Sequence, residues 1–168
     1  TGARLCIKML VDQLLLVNVQ VLENDRQIRS SARSSEIGRR LMEIPGIGPV
    51  IASALIATVP DPKAFRCGRN LSAWIGLVPR QNSSGGKERL GGITKQGNRY
   101  LRKMLFIGAM AVIRYAQRNG TRRPWLVQLM ARRTPKIAAV ALANKTVRIV
   151  WAIMMSGERY REPVAQAA

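Results

Sequence analysis

The sequence predicts a mostly α fold: a helical domain containing a helix-hairpin-helix, preceded by a long N-terminal helix and interrupted by a glycine-rich loop or short β-hairpin. Three observations carry this. Apolar residues recur at helical spacing over 3–31, 98–118 and 135–156. Proline heads the later segments and glycine follows them, the asymmetry expected of capped helices. A strand pattern arises only around Lys87 to Ile93.

Residues 3–31 predict one helix. Ile7, Leu14, Val21 and Ile28 fall at seven-residue spacing with Leu10, Val17 and Asn24 between them, an a/d seam with one polar d position. Leu15, Leu16, Val19 and Leu22 widen the stripe, so two fates stand open: packing against the body, and a coiled-coil homodimer or higher oligomer. Residues 1–36 form a connecting segment in this reading, with Arg26 to Arg40, rich in Ser and Arg, as its frayed end or hinge.

Ile37 to Val59 contains LMEIPGIGPVIASALIATV, an apolar turn of helix, then Pro45-Gly46-Ile47-Gly48, then Pro49 at a helix start, which is the layout of a helix-hairpin-helix. Gly46 and Gly48 let a backbone approach, and the helix N-terminus behind them offers free N–H groups to a phosphate. The other reading is a tight turn between two core helices. Cys67 to Leu77 predicts a short helix with Leu71, Trp74 and Ile75 on one face, Trp74 serving either the core or a stacked base. Asn98 to Arg118 is an amphipathic helix: Leu101, Leu105, Ile107, Ala109 and Val112 pack, while Arg99, Arg102, Lys103, Arg114 and Arg118 face phosphates. Tyr100 and Tyr115 either reach a nucleic-acid backbone or sit half-buried. Gly120 to Arg123 is a turn, Pro124 to Arg133 a helix, and Pro135 to Ser156 the last helix, with Gly157 its C-cap.

Charge narrows the function. Lys+Arg 28 against Asp+Glu 9 gives a formal net charge of +19, which in a folded chain points to a polyanionic partner, most often nucleic acid. No acid lies between Glu88 and Glu158, whereas cations run from Arg89 to Arg148. The absence of histidine excludes His-based acid/base catalysis and the usual zinc sites. Cys6 and Cys67 form no disulfide framework or metal knuckle, and a reducing cytoplasm is the simplest compartment. The longest clean apolar run, Met104 to Ile113, falls short of the roughly 20 residues of a spanning helix, and no signal-peptide pattern opens the chain. A first residue of Thr1 suggests a fragment of something longer.

The chemistry concentrates in Pro79 to Leu101, PRQNSSGGKERLGGITKQGNRYL. Ser83-Ser84-Gly85-Gly86 precedes Lys87 and Arg89, then Gly91-Gly92-Ile93-Thr94-Lys95. A serine hydroxyl needs a base or a stabilising field to act as nucleophile, and lysine or arginine beside a phosphodiester stabilises charge on its oxygens. By chemistry alone this is a phosphate-binding loop whose serine is either catalytic or passive. Lys87, Arg89, Thr94, Lys95, Asn98, Arg99 and Arg102 are its candidate phosphate contacts, joined by Lys145 and Arg148 on the last helix. Asn144, Arg148 and Trp151 share a helix face, so Arg148 either stacks on Trp151, contacts phosphate, or belongs to an internal polar network tying that helix to the loop.

IPGIGPVIASALIA, FRCGRNLSAWIGLVPRQNSSGGKERLGGITKQGNRYLRKML and ALANKTVRIVWAIMMSGERYRE, in that order, resemble the C-terminal domain of the IS110 insertion-sequence transposases (IS1111 branch), relatives of the Piv-type invertases. The resemblance covers about residues 37–162 and makes 37–168 a DNA-binding transposase C-terminal domain. It implies a recombinase in which an N-terminal RuvC-like domain binds Mg2+ through a DEDD set of acids and the C-terminal domain supplies a serine that becomes transiently linked to DNA. It further implies an element-encoded guide RNA. Carried onto this chain, the serine is the one directly before glycine, Ser84, with Ser83 as second choice. No RuvC-like acidic set is present, so the isolated chain is expected to be inactive and to hold no cofactor of its own. The competing reading is a non-catalytic helix-hairpin-helix nucleic-acid-binding module.

Overall fold

In the computed structural model, which describes residues 2–83, 89–121 and 123–162, the chain opens with α1 running unbroken from Gly2 to Ser34. The frayed end or hinge expected over Arg26 to Arg40 narrows to a single break, with Arg26 to Ser34 continuing the helix. Arg26 pairs with Glu23 and Arg29 with Asp25 one turn apart, which favours continued helix. The break falls at Ser35, whose Oγ accepts from Gly38 N–H at 3.2 Å and caps α2 (Glu36–Met42). A turn then leads into α3 (Pro49–Thr58).

A 3-10 turn (Pro62–Ala64) precedes α4 (Gly68–Ile75), β1 (Pro79–Gln81) and β2 (Leu90–Ile93). The strands pair antiparallel with Pro79 opposite Ile93 and Gln81 opposite Leu90, with a register irregularity between. β2 lies within the expected strand and β1 completes the short β-hairpin; the position of β1 carries no sequence signal, because three residues headed by proline show no alternation. α5 (Arg99–Asn119), α6 (Pro124–Arg132) and α7 (Pro135–Ser156) complete a mostly α fold.

α7 is the central strut, packed against α5 and α4 and touching α6, α2 and the 3-10 turn. Its inward face carries Ala138, Ala139, Leu142, Ala143, Val147, Val150 and Ile153, small residues among aliphatics that let several neighbours approach one axis. Leu41, Leu55, Leu71, Ile75, Leu101, Ile113 and Leu126 fill the core around it, each contributing about 1.5–3 kcal/mol on burial. The turn before α3 locks onto α5 at two glycines. Gly46 has φ +91, a Cβ there would stand 2.8 Å from Gly108 O, and a Cβ on Gly108 would collide with Gly46 O.

Two sequence assignments change sides. Trp74 is 42% exposed, meeting Phe65 edge-on, because α4 buries Gly68, Leu71, Ser72 and Ile75 and Trp74 falls about 110° round the helix from that stripe. Ile107 likewise lies opposite the buried stripe of α5 and is 49% exposed. Tyr100 and Tyr115 are exposed, not half-buried.

The expectation that no segment reaches spanning length is also revised: α1 and α7 are each long and apolar enough to cross a membrane by length and composition. A search for an uninterrupted apolar run misses both, since isolated polar residues punctuate them. α7 packs into the body, while α1 buries only Ala32.

Candidate nucleic-acid interface

The hairpin is built from its base outward. Thr94 N–H donates to Val78 O at 2.9 Å, Lys95 N–H to Gly76 O at 3.1 Å, and Asn82 N–H to Arg89 O at 2.8 Å. Ser83 Oγ accepts from Arg89 N–H at 3.3 Å, so Ser83 and Arg89 face one another across the hairpin. Ser84 and Lys87 lie outside the described residues.

Below the hairpin, α4 and the segment before α5 interlock. Gly97 has φ +87 and a Cβ there would collide with Trp74 O, so only glycine fits. Arg102 Nη1 donates to Ile75 O at 2.8 Å and Gln96 O at 3.3 Å. Arg102 is thus engaged in holding the hairpin base to α4. Asn98, another candidate contact, caps α5 by accepting from Leu101 N–H at 3.0 Å. Thr94 Oγ1 is buried without a hydrogen-bond partner among the described residues. Lys95 and Arg99 are exposed, and Lys95 holds φ 59, a left-handed conformation uncommon outside glycine and fixed here by the hairpin-base hydrogen bonds.

α7 joins this assembly from the side. Asn144 Nδ2 donates to Leu77 O at 3.0 Å, and Trp151 Nε1 donates to Pro62 O at 3.1 Å and Phe65 O at 3.2 Å. Asn144 thus ties the last helix to the segment entering β1, and Trp151 ties it to the 3-10 turn rather than to the loop. Arg148 stays exposed between them, its backbone packed on Gly68. The aromatic ring that carries a cation is Trp125, with Lys145 Nζ 4.4 Å from its centroid.

The structure thus gathers Arg89, Lys95, Asn98, Arg99 and Arg102 around the hairpin, with Lys145 and Arg148 along α7. Gly46 and Gly48 stand apart: Gly46 meets α5 at Gly108, ten residues beyond the Asn98 cap, or about 15 Å along the axis. Gly46 is occupied by that helix contact, while a Cβ on Gly48 would meet nothing within 4 Å. The interlock at Gly97 was missed in the sequence; its one signal was an isolated glycine between Gln96 and a helix cap.

Cys67 heads α4, and its thiol is held below the ordinary thiol range, first by hydrogen bonding at Asn70 and then at Arg69. Among the described residues no three His, Cys, Asp or Glu side chains converge on a point.

Comparison with known proteins decides the family. The sequence profile of the transposase IS116/IS110/IS902 family matches residues 38–123, spanning the α2–α3 turn, the hairpin and α5. The chain belongs to the IS116/IS110/IS902 family of transposases. It is 44% identical over 150 residues to a putative transposase of Sinorhizobium fredii, covering 88% of this chain and 39% of the relative. A probable family 20 transposase of Pseudomonas aeruginosa is 44% identical over 156 residues, 92% of this chain and 46% of the relative. The transposase for insertion sequence element IS1111A of Coxiella burnetii is 40% identical over 156 residues, 92% of this chain and 43% of the relative. The chain therefore spans less than half the length of these family members.

Proposed function

We propose that this chain is the DNA-binding, serine-bearing C-terminal domain of its transposase, related to the Piv-type invertases. In this reading Ser84 Oγ attacks a DNA phosphodiester: a new O–P bond forms, the P–O bond to the neighbouring nucleotide breaks, the departing deoxyribose oxygen gains a proton and the serine hydroxyl loses one. Rejoining runs the exchange backwards with a different deoxyribose hydroxyl. Lys87, Arg89 and Lys95 stabilise charge on the phosphate oxygens. The observation that carries the reading is a hairpin within the family-matched region that sets Arg89 opposite Ser83, the residue preceding Ser84, with Lys95 at its base.

Carboxylates that would hold Mg2+ belong, in this account, to a RuvC-like domain of the same bacterial, cytoplasmic protein, with a guide RNA selecting sites and α1 pairing copies of the chain. In the full-length transposase, Ser84→Ala is expected to abolish strand exchange while DNA binding stays near normal; retained exchange removes Ser84 from the mechanism.

One observation favours a second reading, a helix-hairpin-helix binding module without chemistry: the open space at Gly48 before the first N–H groups of α3. The double variant Ser83→Ala, Ser84→Ala separates the two, since a purely binding role leaves strand exchange intact.

A further inference from the structure

The outward face of α7 runs through Ile137, Ala141, Asn144 and Arg148, and two grooves meet on it. The first, about 820 Å3, lies between α7 and the hairpin and is lined by Leu90, Phe106 and Ile137 together with Lys95, Arg133 and Lys136. The second, about 440 Å3, lies between α7 and α6 and is lined by Trp125, Lys145 and Arg148. Ala141 and Asn144 line both. At that junction one side chain is a methyl group and the other is turned onto Leu77 O, so nothing large separates the grooves.

Cations stand along the whole course. From Lys136 to Arg148 is about 18 Å at 1.5 Å per residue, the rise of about five stacked nucleotides at 3.4 Å each. The sequence from Arg89 to Gly157, which supplies every groove residue named above, holds no carboxylate. Arg133 and Lys136 make no ion pair among the described residues. Between the cations, Leu90 is 70% exposed and Ile137 52% exposed. A duplex, with its bases stacked inside, presents phosphates to the cations but leaves those apolar side chains facing water. An unpaired strand presents both phosphates and base faces.

We propose that the joined grooves are a track for a single nucleic-acid strand, its phosphates on Lys95, Arg133, Lys136, Lys145 and Arg148 and its bases against Leu90 and Ile137. The proposal rests on the nucleic-acid-binding reading above and deepens it: a strand in the track runs past the hairpin that contains Ser84. DNA and RNA strands share the recognising chemistry.

The test is fluorescence anisotropy of the full chain, over a salt series, with a labelled DNA strand, its duplex and an RNA strand of the same sequence. At least one single strand is expected to bind about tenfold tighter than the duplex, and whichever sugar binds tighter identifies the occupant. Arg133→Ala with Lys136→Ala is expected to flatten the dependence of log affinity on log salt by about 1.4, at about 0.7 per lost contact with a single strand. Arg4→Ala with Lys8→Ala, a pair of exposed cations on α1, is expected to leave it unchanged. All four side chains are exposed, and unchanged circular-dichroism melts check that the variants fold. Equal affinity for strand and duplex, or equal effects of the two pairs, overturns the track alone. Absence of binding to every polymer at low salt overturns both the track and the nucleic-acid reading beneath it.

Discussion

α1 and α7 are alike in composition and opposite in fate. Both pass the length and apolarity test for a membrane span, yet α7 is enclosed on most sides, whereas α1 leaves Leu10 66%, Leu14 60% and Leu22 59% exposed. Residue size explains part of the difference. α7 turns alanines and valines inward, so α4, α5 and α6 close around it; α1 carries bulky leucines around much of its circumference and meets the body only through its C-terminal end, at α2 and α3. Apolarity alone therefore does not say what a helix packs against. A large exposed apolar surface marks an interaction site, and in the proposed pairing of copies the seven-residue seam from Ile7 to Ile28 would supply the contact.

The largest test of this contrast is a matched pair of truncations. Leu142→Ala on α7 is expected to cost about 2–5 kcal/mol in denaturant unfolding, and Leu14→Ala on α1 less than about 0.5 kcal/mol at concentrations where the chain is monomeric. Similar losses would erase the distinction. Next, sedimentation equilibrium should find self-association of the chain, with Leu14→Asp raising the dimer dissociation constant at least about tenfold by burying a charge in the seam. A smaller effect is expected at Trp151, where phenylalanine keeps the packing but leaves Pro62 O and Phe65 O without their donor; the loss should be about 1 kcal/mol by the same unfolding assay. The smallest concerns the Cys67 thiol at the head of α4. Because hydrogen bonding at the head of α4 lowers the Cys67 pKa, its thiolate persists to lower pH, and the pH midpoint of iodoacetamide alkylation at Cys67 should fall below the ordinary thiol range.

Much of the architecture was legible because local signals and packing agree. α7 spans Pro135 to Ser156 with Gly157 as its cap, as the proline and glycine positions indicate, and α5 begins at the Asn98 cap. The misreadings arise where spacing alone does not identify the partner. Trp74 and Ile107 sit at permissible helical spacings, but the neighbours of α4 and α5 select a different stripe. The Arg26–Ser34 segment has a loop-like composition yet continues the helix, with one-turn ion pairs at Arg26 and Arg29 adding modest support. The candidate site was legible as a cluster of residue types, not as a division of labour. Arg102 and Asn98 look like phosphate ligands in sequence yet hold backbone groups, because their roles depend on Gln96 O, Ile75 O and Leu101 N–H arriving beside them. Arg133 and Lys136 went unassigned as ligands, since only the fold brings them to the same groove as Lys95.

The most direct test of the central reading is to quench the full-length transposase during strand exchange, digest protein and DNA, and locate any nucleotide-bearing peptide by mass spectrometry. The proposal predicts a phosphodiester adduct on Ser84, absent from Ser84→Ala. An adduct on Ser83 or on another residue, or strand exchange that proceeds in Ser84→Ala, would contradict it.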